Sequence, residues 1–306
     1  MEFLTYELFS NSENDAKLSG LVYIRPYQEK PTKTDGVYLF GTIECKGRYQ
    51  FKVWGGPTLT KMTDEDFASS ICYVTGQVNE FNGAKSFIIK TIEKYTGNEF
   101  TELDFMTIKY NQEEVWNSLI RILQKNCSEN ALRVFDLIME PIRDRFIMEY
   151  AAVSHHDNCI GGLLAHTMKV VRIAQTVKVY QAIMDGVSSD ALFIGCALHD
   201  IGKVLEYNMG DMSEEGKTLN HLTLGLTLIM PRKDEIVELM GEDFYSTILS
   251  VVQQHHGEYG ERPKTVTAYL VHLIDSIEAK FTDLSESIEA AKNDTVKCEE
   301  FYLRVK

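Results

Sequence analysis

The chain has eight histidines, all of them between residues 155 and 272. They are His155, His156, His166, His199, His221, His255, His256 and His272. Imidazole is a common transition-metal ligand and an acid–base group near neutral pH. Confinement to one segment therefore points to a metal centre there. The order sharpens this: a lone His166, the pair His199-Asp200, His221, the pair His255-His256, then Asp275. Unequal gaps with paired ligands suit a site gathered from several helices. One inward histidine on an apolar face is usually a hydrogen-bonded core residue. Three of them, one followed directly by an aspartate, shift that balance. A buried carboxylate needs a partner, because a bare buried charge is costly. A divalent cation between Asp200 and Asp275 would supply one. Mixed nitrogen and oxygen donors suit Mn, Fe, Co, Ni or Zn better than Ca, and the lack of cysteine donors argues against a structural zinc.

Helices must carry these groups. His166 shares a stripe with Leu163, Val170, Ala174 and Val177, so it points inward. Residues 191–198 are apolar nearly all round, as in a central buried helix, and run into His199-Asp200-Ile201-Gly202-Lys203. Gly202 reads as a helix stop. His255 follows Phe244, Ile248, Val251 and Val252 at helical spacing. Asp275 lies in a helix whose stripe reads Val266, Leu270, Leu273, Ile277 and Phe281, and it flanks that stripe. Residues 283–300 read as a polar C-terminal helix. His272 reads as structural, and Glu206, Tyr207 and Tyr259 as ordinary surface or packing residues.

Residues 20–95 follow a different period. Leu21–Arg25, Gly36–Glu44, Arg48–Trp54, Ile71–Asn79 and Lys85–Glu93 are rich in Val, Ile, Tyr and Phe. Tyr49, Phe51 and Val53 alternate with Gln50, Lys52 and Trp54, as in a half-buried strand. Lys46-Gly47 and Asn82-Gly83 supply hairpin turns. Five strands in this length suit a small barrel, an OB-fold or an SH3-like one. Aromatics among Tyr38, Phe40, Tyr49, Phe51 and Trp54 could stack bases, although the core is the preferred place for any one of them. Tyr38, Phe40 and Trp54 are carried forward as strand-binding candidates. The expected organisation is α+β: a five-stranded barrel domain over 1–96, a linker over 97–112 and an all-α domain over 113–306.

Composition fits a soluble two-domain protein, with 306 residues, 44% hydrophobic and 25% charged. The longest apolar run, 191–198, is far too short to span a membrane. The N-terminus lacks a basic region followed by an apolar core, so no secretory signal is expected. Six scattered cysteines read as reduced thiols, and the expected location is the cytoplasm. The net charge is −14, and nearly all of it falls beyond residue 96. Gripping duplex DNA by bulk charge is therefore excluded. Any nucleic acid must be held locally by metal ions, stacking and a few cations.

The order His…His-Asp…Asp on helices resembles the HD superfamily of metal-dependent phosphohydrolases. The text SHHDNCIGGLLAHTMKV, CALHDIGKVLEY, NHLTLG, QQHHGEYG and LVHLIDSIEAK, behind an OB-like domain, is similar to the YhaM family of 3′→5′ exoribonucleases. The resemblance runs from about residue 20 to 283. It implies an OB-fold followed by a helical HD domain, with manganese preferred and Mg, Fe, Co, Ni or Zn as alternatives. By position, His166, His199, Asp200 and Asp275 match the HD signature and would hold a first metal. His221 and His255, with His256 as a further candidate, match the extra histidines of two-metal members, with Asp200 bridging. Lys203 would contact a phosphate or balance developing charge, so Asp200 and Lys203 are the catalytic candidates. His155 and His156 would face substrate, and Arg262 could reach a phosphate. Asp157-Asn158-Cys159 and Asn220 depart from the family text, as does the segment after His256. These departures touch the substrate path and leave the metal residues intact.

The implied reaction is metal-assisted hydrolysis of single-stranded RNA, or single-stranded DNA, from the 3′ end to nucleoside 5′-monophosphates. Two alternatives stay open: an HD-type nucleotide or cyclic-dinucleotide phosphohydrolase, and a non-catalytic single-strand-binding factor. The expected partners are a single strand and no membrane, with room for a homo-oligomer.

Overall fold

The computed structural model describes residues 2–33, 36–152, 158–289, 295–298 and 301–305. Contacts divide the chain into two compact units, Met1–Thr107 and Ile108–Lys306. No helix among the described residues is long and apolar enough to cross a membrane.

The first unit opens with helix α1 (Tyr6–Asn11) and closes five strands into a barrel. They are β1 (Lys17–Pro31), β2 (Val37–Glu44), β3 (Arg48–Trp54), β4 (Ser70–Phe81) and β5 (Ala84–Lys94). The strand order is β1-β2-β3-β5-β4, with β3 and β5 parallel and the other pairs antiparallel. Helix α2 (Gly56–Asp64) lies in the chain between β3 and β4. That closure and order make an OB-fold, which resolves the choice between two small barrels. Hairpin turns fall at Lys46-Gly47 and Asn82-Gly83, all four residues at positive φ, as tight right-twisted hairpins require. In β3, Tyr49, Phe51 and Val53 are buried and alternate with outward residues. Segment 97–112 is not bare linker: Phe105 and Met106 are fully buried, and the Lys46 N–H donates to the Phe105 carbonyl.

The second unit is mainly helical. Its helices are α3 (Gln112–Asn126), α4 (Glu129–Met139), α5 (Arg143–Phe146), α6 (Gly162–Val177), α7 (Gln181–Asp185), α8 (Ser189–Leu198) and α9 (Lys203–Glu206). After them come α10 (His221–Ile229), α11 (Lys233–Met240), α12 (Glu242–Gln254) and α13 (Val266–Glu289). One small hairpin interrupts the helices, β6 (Tyr207–Asn208) with β7 (Asp211–Met212), and another follows α13, β8 (Thr295–Cys298) with β9 (Phe301–Arg304). Helix α8 sits at the centre, with every residue from Ala191 to Leu198 buried. Around it pack Leu119, Leu123, Phe135, Leu163, Val170, Ile248, Val252 and Val271.

Three expectations need correction. The chain after α13 forms a hairpin where a polar helix is expected. The buried face of α13 is Thr267, Ala268, Leu270, Val271, Ile274 and Glu278. Val266, Leu273, Ile277 and Phe281, read as the core stripe, are exposed. Gly202 does not stop a helix in the left-handed region; its φ is −67°, and α8 has already ended at Leu198. Glycine is required there because α10 comes so close. A Cβ on Gly202 would lie 1.9 Å from the His221 carbonyl oxygen and 2.4 Å from the Gly225 nitrogen.

Candidate metal centre

Five helical elements bring the charged and imidazole groups together. His166 comes from the inward face of α6, His199 and Asp200 from the end of α8, and His221 from the first turn of α10. His255 and His256 follow the last turn of α12, and Asp275 lies mid-way along α13. His199 and His255 are fully buried, while His166, Asp200 and His221 are nearly so. The donor atoms fall into two groups, His166, His199 and Asp275 in one, Asp200, His221, His255 and His256 in the other.

Asp200 faces both. Its Oδ2 is 3.5 Å from His166 Nε2 and 3.4 Å from His199 Nε2. Its Oδ1 is 3.5 Å from His221 Nε2 and 3.4 Å from His255 Nε2. Asp275 Oδ1 is 3.2 Å from His166 Nε2 and 3.7 Å from His199 Nε2.

The opposite edges of the rings are fixed. His166 Nδ1 is 2.7 Å from Glu278 Oε2, and His221 Nδ1 is 2.9 Å from Glu206 Oε2. His199 and His255 donate from Nδ1 to the Cys196 and Val252 carbonyls, at 2.8 and 3.1 Å. With the proton on Nδ1, each Nε2 of a neutral ring presents a lone pair to the centre. Yet His166 Nε2 lies 3.2 Å from His199 Nε2, and His221 Nε2 lies 3.0 Å from His256 Nε2. Asp200 Oδ1 and His255 Nε2 are buried without a hydrogen bond of ordinary geometry. Converging lone pairs and orphaned buried acceptors are what cations satisfy, so this donor set fits divalent metal.

Electrostatics agree. Burial would raise the Asp200 carboxyl, but Lys203 and His199 override it and hold it well below the usual range. Asp275 is likewise lowered against burial, chiefly by His166 and His199. Burial opposes charge on His166, yet hydrogen bonds to Asp275 and Glu278 carry it up to about 10. Burial, and then His255, push His256 down to about 4. Without metal, protons and Lys203 balance the carboxylates. Lys203 Nζ is 2.7 Å from Asp200 Oδ2; burial opposes its charge, and Asp200 outweighs burial and raises its pKa. Lys203 therefore sets a positive charge against Asp200.

The other expected residues are scattered. His155 and His156 lie outside the described residues. Arg262 is exposed in the loop before α13, in the same unit as the histidines. Tyr38, Phe40 and Trp54 share the outer face of β2 and β3. Tyr38 stacks on Trp54 at 4.4 Å between ring centroids, Trp54 is 49% exposed, and Lys30 lies over Phe40. Tyr49 and Phe51 are core residues. His272 donates from Nδ1 to the His255 carbonyl at 2.7 Å.

Glu278 is the residue that sequence reasoning misses, and Glu206 is legible only as a surface or packing residue. Glu206 is no surface residue: it is buried and holds both the backbone N–H and the ring of His221. Glu278 is 1% exposed. Its signal was spacing, since it follows Asp275 by three residues and so shares its helix face.

Residues 163–280 match the family model for the HD domain. Over that stretch the chain is similar to HD-domain proteins, and over most of its length it resembles the YhaM exoribonucleases. It is 26% identical over 258 residues to the 3′-5′ exoribonuclease YhaM of Listeria monocytogenes serotype 4b, covering 80% of this chain and 79% of that one. It is also 26% identical over 234 residues to YhaM of Geobacillus sp., covering 73% and 70%. Among solved structures it matches the mitochondrial single-stranded DNA binding protein Rim1 of S. cerevisiae at 18% identity, TM-score 0.26, over 28% of this chain and all of that one. The OB-fold assignment rests on strand order and closure.

Proposed function

We propose that this HD protein is a metal-dependent 3′→5′ exonuclease that hydrolyses single-stranded RNA, or single-stranded DNA, to nucleoside 5′-monophosphates. The observation that carries the reading is the paired donor set with Asp200 between its two groups. A binding protein has no need of seven inward donors behind an OB-fold. The relatives' name, 3′-5′ exoribonuclease, supplies the substrate and the direction.

His166, His199 and Asp275 would hold one ion, and His221, His255 and His256 a second, with Asp200 offering one oxygen to each. Such ions acidify a water and neutralise phosphate oxygens when bound, and manganese suits the mixed donors. The chain's own residues do the rest. Glu278, Glu206 and the two carbonyls fix the tautomers of His166, His221, His199 and His255 and hold those four Nε2 atoms toward the centre. Lys203 keeps a positive charge beside Asp200, where it stabilises negative charge developing on the phosphodiester. Tyr38 and Trp54 offer a stacking face for bases. His155, His156 and Arg262 complete the substrate contacts in this reading. In this reading the strand-binding barrel over 1–96 and the catalytic helices over 113–306 lie within the two compact units, and the location is the cytoplasm.

The test is product analysis of a 5′-labelled single strand with Mn, Mg or Zn. A ladder shortening one nucleotide at a time from the 3′ end is expected with wild type and not with His199→Ala. Intact strands under every metal condition would sink the reading. Turnover of mononucleotides or cyclic dinucleotides in preference to oligomers would favour the other phosphohydrolase class.

A further inference from the structure

A second concave site lies in the helical unit, on the far side of His166 from the metal donors. It is a cavity of about 540 Å3 between α6, the start of the unit at Lys109 and Tyr110, and the C-terminal half of α13. We propose that this cavity binds a mononucleotide, with its phosphate on α6 and its base against Phe281.

Four observations carry this. The volume falls within the range of small-ligand sites, roughly 300–1,000 Å3. The wall from α6 presents Lys169 and Arg172, three residues apart and so on one helix face. Arg172 is exposed and has no ion-pair partner among the described residues. A planar guanidinium beside an ammonium suits a phosphate. Lys109 adds a third cation, in an open pair with Glu286 at 3.5 Å. The aromatic wall is the fourth observation. Phe281 is 65% exposed although it lines a concavity, which Tyr110 lines as well. An exposed phenyl in such a wall offers a face for a flat apolar ring, as a nucleobase does.

The site is distinct from the metal centre by its connections. Lys169 Nζ lies 3.3 Å from Glu278 Oε1, and the Thr282 hydroxyl donates to that same oxygen at 2.7 Å. The other Glu278 oxygen meets His166 on its Nδ1 edge. The metal donors converge on the Nε2 edge. A phosphate on Lys169 would thus sit behind the imidazole, outside the centre.

The probe is adenosine 5′-monophosphate, titrated calorimetrically into full-length protein with manganese and again with excess chelator. Saturable binding of one AMP that survives chelation is expected. Arg172→Ala and Phe281→Ala should each weaken it about tenfold, the scale of a charge-assisted hydrogen bond or a stacked ring. Both side chains are exposed, so the variants keep the fold. Inorganic phosphate should compete only weakly, because it lacks the base. The proposal is overturned if AMP binding vanishes on chelation, if neither variant alters it, or if phosphate alone displaces AMP at equal concentration. None of these readouts depends on strand cleavage, so failure here and failure of the exonuclease reading are separately visible.

Discussion

At the scale of residues, the centre is built from imidazoles whose outer nitrogens are held as deliberately as their inner ones. Glu278 and Glu206 should therefore matter nearly as much as the donors they brace. Glu278→Gln and Glu206→Gln are each expected to weaken manganese binding by about 10- to 100-fold, as is usual for carboxylates behind metal-ligating histidines. Calorimetric titration with manganese checks this, and an unchanged far-ultraviolet spectrum would show that the fold is kept. The gathering of these side chains is legible in the sequence, because histidine is scarce and is absent from the whole first half of the chain. Unequal gaps with adjoining aspartates are the pattern that a site shared among several helices leaves behind. The bracing carboxylates were not legible. A glutamate on a helix ordinarily reads as solvent-facing, and Glu278 was hidden by a wrong choice of face. Large residues at 266, 273, 277 and 281 outweighed the smaller ones of the true buried side. The series Thr267, Val271, Ile274 and Glu278 has equally good helical spacing. It needs one buried carboxylate, which its pairing with His166 satisfies.

At the scale of elements, two close approaches set the geometry. The loop after α8 must let α10 come near enough to bring His221 to Asp200, and Gly202 is the residue that permits it. Gly202→Ala would force a Cβ into backbone that cannot yield. A loss of about 2 kcal/mol or more is expected, seen as a lower denaturant midpoint, together with weaker metal binding as His221 is displaced. The glycine was conspicuous in the sequence but its reason was not, since close packing by a distant helix leaves no local mark. The barrel was more transparent. Strand alternation and two hairpin turns mark β2 to β5 to within two residues at each end, whereas β1 runs from Lys17 to Pro31 where only Leu21–Arg25 is expected, and only pairing order separates an OB-fold from other barrels. On its outer face, Trp54→Ala removes an exposed ring stacked on Tyr38. Affinity for a single-stranded oligomer should fall about tenfold, the scale of one lost base stack. Cleavage of a dinucleotide, too short to need that face, should be unchanged. Equal losses on both substrates would remove the barrel from strand binding.

At the scale of the whole molecule, the division of labour should show in unfolding. All the proposed metal donors belong to the helical unit. A ligand that binds only the folded state at a hundred times its dissociation constant adds about 2.7 kcal/mol. For a unit of this size that corresponds to roughly 5–10 °C in Tm. Chelation should therefore lower the melting of the helical unit by that amount and leave the barrel's near-ultraviolet signal in place. A uniform shift of both would mean that the metal braces the entire chain. The two donor groups are also unlike in composition. Beyond the shared Asp200, one adds a carboxylate, Asp275, to two imidazoles, whereas the other offers three imidazoles and no second negative charge. Cations should therefore fill the Asp275 side first and the His256 side only at higher free concentration. Cleavage measured against free manganese should then rise with a lag. Below that threshold the protein would hold a strand without shortening it. On the proposed exonuclease reading, scarcity of one ion would turn an agent of decay into a temporary shelter for the strand it holds.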